Sequence, residues 1–300
     1  VPGMTTIARR GAPRKKSETR LIERVPRWRA ILAWIIGVLY VFPVVYIWAT
    51  GFKTEAAAVA LPPSIIPTPN GELPGTFAFT LENYQAVLAR GFWPFFEHSI
   101  IVVTLSTLLV IALALPCAYG LTWRRADNAR SVLFFFLSTK FLPAVGVIVA
   151  VFYIAKNLGM IDQLPTLIVM YTAMNLPIAV WMLRSFLDEV PKDVLDASKV
   201  DGAKTWEELA KIAIPMITPG LVATIFIIAI FAWNEFFLAV SLMATRGATV
   251  PMFMIGFVTS EGLFWAKLAA AGTMAMLPVV IIGWAAQRQL VRGLSLGAVK

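Results

Sequence analysis

Long apolar runs with at most one charged residue each alternate with polar stretches along almost the whole chain. The runs cover residues 30–50, 94–122, 132–155, 166–183, 217–241 and 266–287. A helix rising about 1.5 Å per residue needs about 20 residues to cross a hydrocarbon core of about 30 Å. The pattern therefore predicts an all-α membrane protein with six transmembrane helices. Pro43 falls inside the first run and is tolerated there, because neighbouring helices re-satisfy the freed carbonyl. A signal peptide is the competing reading of that run, but the run exceeds an h-region and no small-x-small cleavage site follows it. Residues 53–93 hold Pro62, Pro63, Pro67, Pro69 and Pro74 with Gly71 and Gly75, so they are expected to be irregular, with a short amphipathic surface helix over Thr80–Ala89. Lys156 to Pro165 reads as a turn, and residues 242–265, with Gly247, Pro251 and Glu261, as a loop.

One polar stretch is longer than a connection requires. Residues 190–216, between the fourth and fifth runs, contain the island Asp196 to Pro215. It reads as two short helices about a bend at Gly202, a residue that permits backbone conformations others resist. Thr205 is placed as the N-cap of the second helix, with Glu208 at the capping-box position. Glu207 and Lys211 are spaced as an i,i+4 pair. Ile212, Ile214 and Ile217 return to the apolar phase. A polar segment fixed at both ends to membrane helices is able to transmit a push, although spacing alone describes a plain interfacial connection equally well.

Charge orients the spans. Six crossings put both termini on one side. The stretches on that side carry twenty Lys and Arg, nine of them within the first 29 residues; the opposite loops carry five, Lys53, Arg90, Lys156, Arg246 and Lys267. Excess Lys and Arg mark the cytoplasmic face. Residues 1–29 are thus expected as a basic cytoplasmic tail, 30–288 as the membrane domain and 289–300 as a cytoplasmic C-terminal tail. Val1 to Gly3, ahead of Met4, carry no expectation. Composition agrees with the membrane reading: 59% of residues are hydrophobic, mean hydropathy is +0.76, and 14% are charged, against about 25% in soluble domains. The net charge of +9 follows from the basic flanks, so no nucleic-acid partner is inferred. One cysteine, Cys117, permits no intrachain disulfide, and one histidine, His98, permits no histidine-rich metal site. Without a Gly-x-x-x-x-Gly-Lys-Ser/Thr loop, no phosphate-binding motif is present.

The island resembles the signature of permease subunits of bacterial ABC importers: Glu-Ala-Ala, three residues, Gly, nine residues, Ile, one residue, Leu-Pro. Asp196-Ala197-Ser198 matches the triplet with two conservative departures. Gly202, Ile212 and Ile214-Pro215 follow at the same spacing, with Ile in place of Leu. The runs Leu176–Arg184, Phe231–Phe236 and Leu290–Lys300 are similar to the maltose-type carbohydrate-uptake branch. Thr139–Pro143, Tyr171–Trp181, Gly262–Leu268 and the tail look most like sorbitol/mannitol permeases. The resemblance covers residues 30–300. It implies a bacterial cytoplasmic-membrane permease pairing with a second, homologous permease, two ATPase subunits that carry the ATP and Mg, and an extracytoplasmic binding protein. No cofactor is expected on this chain. Asp196, Ala197, Ser198, Gly202, Ala203, Ile212 and Pro215 would form the coupling helix and turn received by an ATPase groove. Gly293, Leu294 and Gly297, in a tail made flexible by its glycines, would also reach the ATPases.

Polar side chains within spans are costly and face the bundle interior by default. Lys140, Asn175, Asn234 and Glu235 are therefore the candidates for the substrate path, against the reading that they make helix–helix hydrogen bonds. Two alternatives compete with the importer. A stand-alone secondary transporter predicts an internal repeat with helices broken at matching positions. An intramembrane enzyme has only Glu97-His98 to offer.

Overall fold

The computed structural model describes residues 26–71, 73, 75–123, 128–244, 248–259 and 262–298; for Ala144, Thr259, Gly262, Leu263 and residues 290–298 it describes the backbone alone. The expected basic tail up to residue 25 and Arg124, Arg125 and Arg246 lie outside the described residues. The chain divides into two units, Val1–Val44 and Val45–Lys300. Helix α1 (Arg27–Thr50) contains Pro43, and residues 26–45 are exposed throughout although mostly apolar, a surface suited to lipid.

Five described helices are long and apolar enough to span a membrane, or six if one bent pair counts as a single span. They begin with α1 and continue with α4 (Phe92–Trp123). The bent pair is α5 (Ala129–Lys140) and α6 (Ala144–Asn157), which meet at 88°. Hydropathy alone predicts one straight span over 132–155, and the structure corrects this. Pro143 sits at the N-cap of α6, and proline pushes the residue before it out of helical geometry. Next comes α7 (Leu164–Asp188). The island forms α8 (Lys192–Val200) and α9 (Thr205–Glu207), then a π-helical turn, Glu208–Ala213, that leads into α10 (Ile214–Trp233). The fifth span is also interrupted. Helix α10 ends at Trp233, and α11 (Phe237–Leu242) restarts after three residues.

The connections 53–93 and 242–265 are more regular than their prolines suggest. Residues 53–93 hold α2 (Glu55–Ala58), a parallel pair of three-residue strands, β1 (Ile66–Thr68) and β2 (Thr76–Ala78), and the expected surface helix, α3 (Glu82–Ala89). The expected loop 242–265 contains α12 (Val250–Ile255) and a small antiparallel pair, β3 (Val258–Thr259) with β4 (Gly262–Leu263). The last helix, α13 (Trp265–Ala298), runs on through Gly293 and Gly297, so residues 289–298 are helical rather than a flexible tail. No proline follows Pro278, and Ala, Gln and Leu favour continuation.

Three buried clusters order the second unit. One joins Val110–Tyr119 of α4 to Leu183 and Leu187 of α7 and Leu209 and Ala213 of the π turn. Another joins Phe92 to α12 and α13, and a third sets Val102 and Tyr171 against Leu238 and Leu242 of α11. Helices α7 and α10 approach closely at Gly220, where an added Cβ would fall 2.2 Å from Cγ of Phe186.

Candidate functional site

The bend expected at Gly202 is a helix stop with defined bonds. Gly202 adopts φ +80°, donating its N–H to Lys199 O at 3.0 Å while Ala203 N donates to Ser198 O at 3.0 Å. These paired bonds make a Schellman close, which needs a left-handed residue at this position. Asp196 and Ala197 are exposed on α8, and Asp196 pairs with Lys199 at 3.1 Å. Between Pro191 and Val200 only Leu195 and Ser198 are buried. The outward surface includes Val200 (87% exposed) and, after the turn, Trp206 (71%).

The second half of the island corrects the expected capping box. Lys204, not Thr205, is the N-cap, and its N–H donates to Glu207 Oε2 at 3.1 Å. Lys211 donates to Glu207 Oε1 at 2.9 Å, the spaced pair as expected. Glu208 instead turns inward and is 2% exposed. It accepts the hydroxyl of Tyr119 on Oε2 and that of Ser198, 3.2 Å away, on Oε1. One residue of offset decides which of the adjacent glutamates faces inward, and sequence spacing does not contain that offset. Ile212 is half-buried on the π turn, and Pro215 stands in the first turn of α10.

The two interrupted spans converge on a cleft of about 530 Å³. Its walls come from Thr139, Lys140 and Leu142 at the α5–α6 elbow, Ile148 and Val151 of α6, Met170 and Met174 of α7, and Glu235, Phe237 and Leu238. Lys140 and Glu235, two of the four candidate path residues, are thus brought to one surface. Glu235 also starts α11: its carboxylate accepts the N–H of Leu238 at 2.9 and 3.1 Å and of Ala239 at 3.3 Å. Asn234 is exposed and its amide donates to Ile230 O at 2.9 Å, outside the cleft lining. Asn175 is fully buried, donating to Tyr171 O at 3.0 Å. Non-helical backbone at membrane depth is tolerated where it is buried in protein or lines a cavity, and Leu142 and Glu235, one from each interruption, line this cleft. The Nδ1 of His98 lies 3.2 Å from Ala248 O. No group of three His, Cys, Asp or Glu that could hold a metal occurs among the described residues. For residues 290–298 the backbone alone is described, so the side chain of Leu294 lies outside the description.

Residues 22–296 match the family of binding-protein-dependent transport system inner membrane components. The chain belongs to that family. The permease is accordingly a multi-pass membrane component and not an enzyme, ATP hydrolysis in such transporters residing on separate subunits. It is 31% identical over 267 residues to a probable ABC transporter permease, y4oR, of Sinorhizobium fredii, covering 89% of this chain and 92% of the relative. It is 31% identical to the sulfoquinovosyl glycerol permease SmoH of Agrobacterium fabrum, over 71% of this chain and 72% of that one. The trehalose permease SugB of Mycobacterium tuberculosis is 29% identical, over 73% of this chain and 76% of that one. In fold, the permease superposes on a chain of a bacterial ABC transporter importing alginate with a TM-score of 0.68 at 20% identity, covering 88% of this chain and 95% of that one. Interrupted helices also suit a stand-alone carrier, but the family match excludes that reading for the permease.

Proposed function

We propose that this permease is one half of the translocation path of an ATP-driven importer for a sugar or sugar alcohol. A second permease completes the path, two separate ATPase subunits hold the ATP and Mg, and an extracytoplasmic binding protein delivers the substrate. Relatives of similar length are carbohydrate permeases, which supports the substrate class. In this reading both termini and the island are cytoplasmic, in line with the distribution of Lys and Arg.

The observation that carries the reading is the form of α8. It is held to the membrane helices through Leu195 and Ser198, closed by a glycine stop, and flanked by Val200 and Trp206 on the open side. Exposed apolar residues around a polar lever suit a protein groove better than water. Asp196 to Ala203 would dock into the ATPase, Ile212 and Pro215 would carry the movement into α10, and the helical C-terminal segment with Gly293, Leu294 and Gly297 would contact the ATPase pair. The cleft at Lys140 and Glu235 would form this subunit's wall of the path, supported by Asn234 and Asn175.

The test is uptake of labelled sugars and polyols into proteoliposomes holding the complete complex and its binding protein. Gly202→Val is expected to abolish uptake while membrane insertion is retained. Beyond its chain neighbours, no atom of the described residues lies within 4 Å of an added Cβ there, so the effect comes from the left-handed backbone and not from a clash. Holding a β-branched residue in that conformation costs about 1–3 kcal/mol. Gly202→Asn, which tolerates it, should keep most of the transport. Undiminished uptake by Gly202→Val would remove the coupling role.

A further inference from the structure

We propose that the buried Tyr119–Glu208–Ser198 triad is the strut that transmits movement of α8 into the membrane helices, with Glu208 as its positioning residue. The proposal rests on the docking role of α8. Three elements meet at one carboxyl group. Tyr119, 4% exposed, reaches from the end of α4, 89 residues away in the chain, and packs edge-on against Trp123 at 5.0 Å. Ser198 reaches from α8, and Glu208 itself opens the π turn below α10. The Ser198 hydroxyl has one proton, shared between Glu208 Oε1 at 3.2 Å and Leu195 O at 2.8 Å.

The physical reason for a polar strut lies in what the rest of the attachment lacks. The other buried contact of α8 is Leu195, and apolar burial is non-directional. Leu195 alone would let the helix roll or slide over the core. Hydrogen bonds weaken steeply with angle, so a carboxyl group with donors on two elements fixes rotation as well as distance. The π turn behind Glu208 is a wider, poorly propagating helix form that recurs at functional positions. A push on α8 therefore has a stiff route through Glu208 to α4 beside the softer one along the backbone into α10. The void lined by Tyr119, Trp123, Leu195, Lys199 and Glu208 is about 30 Å³.

The experiment measures substrate moved per ATP hydrolysed by the whole complex in proteoliposomes. The triple variant Tyr119→Phe, Ser198→Ala, Glu208→Leu replaces all three members of the triad by apolar side chains, so that no polar group of one is left facing the others. Such a replacement is close to neutral for stability. The expected result is a fall of about tenfold in transport per ATP, the scale of mutations along a coupling element. Ser198→Ala alone should give a smaller fall, and Ser198→Thr, which keeps the hydroxyl, should restore the ratio. An unchanged ratio in the triple variant overturns the strut. If the triple variant does not assemble, Ser198→Ala and Tyr119→Phe decide, and an unchanged ratio in both overturns it equally. A parallel arm separates this from failure of docking itself. In a Cys117→Ala background, Val200→Cys is cross-linked to the ATPase subunit. No cross-link means that α8 does not dock; a cross-link with an unchanged ratio means that only the strut is wrong.

Discussion

Lys53 is fully buried, its ammonium has no hydrogen-bond partner among the described residues, and it lies 4.5 Å from the ring centre of Tyr46 and 5.3 Å from that of Phe77. The ring faces offset part of the cost of desolvating the charge. Burial still pushes its pKa below the ordinary lysine value. Between that depressed value and the ordinary one the unfolded chain binds more protons than the folded chain. The stability contributed at Lys53 therefore rises with pH across that window, and the full penalty applies below it. Replacing Lys53 by Met should flatten this part of the profile. Melting of the detergent-solubilised wild type and variant over a pH series checks it, and parallel profiles would show that Lys53 does not shed its proton on folding. Nothing in the composition points to this residue. A lysine in an outer loop reads as a solvated charge, and only the return of Phe77 across it makes it otherwise.

At the scale of elements, close packing and interruptions together position the site. Gly220 lets α10 settle against Phe186 of α7, as small residues do at membrane helix contacts. Gly220→Ala should cost about 1–3 kcal/mol through overpacking, and adding Phe186→Leu should recover part of it; chemical denaturation of both variants measures this. The spans themselves were legible because hydropathy over 20 residues is a strong signal, and the island because its polarity and spacing stand out. The breaks were not. The run 132–155 is apolar on both sides of Pro143, so it reads as one span although α5 and α6 meet at 88°. Asn234 and Glu235 were recognisable as polar residues at depth, yet their neighbours are apolar, and the helix restart depends on the Glu235 carboxylate finding Leu238 and Ala239. The inward turn of Glu208 depends on Tyr119, far away in the chain, and local patterns carry no trace of it.

For the whole molecule, the number of crossings turns on the bent pair. Leu61 is 90% exposed in the segment after α1 and Val200 is 87% exposed at the end of α8. If α5 and α6 together cross the membrane, these residues lie on opposite sides; if the pair enters and returns, they lie on the same side. In a Cys117→Ala background, Leu61→Cys should react with a membrane-impermeant maleimide in intact cells and Val200→Cys only after permeabilisation. Labelling of both from outside would reduce the crossings to five. Residues 53–93 also carry a bond across more than two hundred residues: Glu55 accepts the N–H of Ala266 at 3.0 Å and of Lys267 at 3.2 Å, at the first turn of α13. Negative charge is favoured at a helix N-terminus, so the last long helix is capped by one of the earliest residues after α1. A ribosome delivers these partners more than two hundred residues apart. During synthesis the carboxylate of Glu55 waits for a helix that does not yet exist, and this end of the fold is tied only when the final helix emerges.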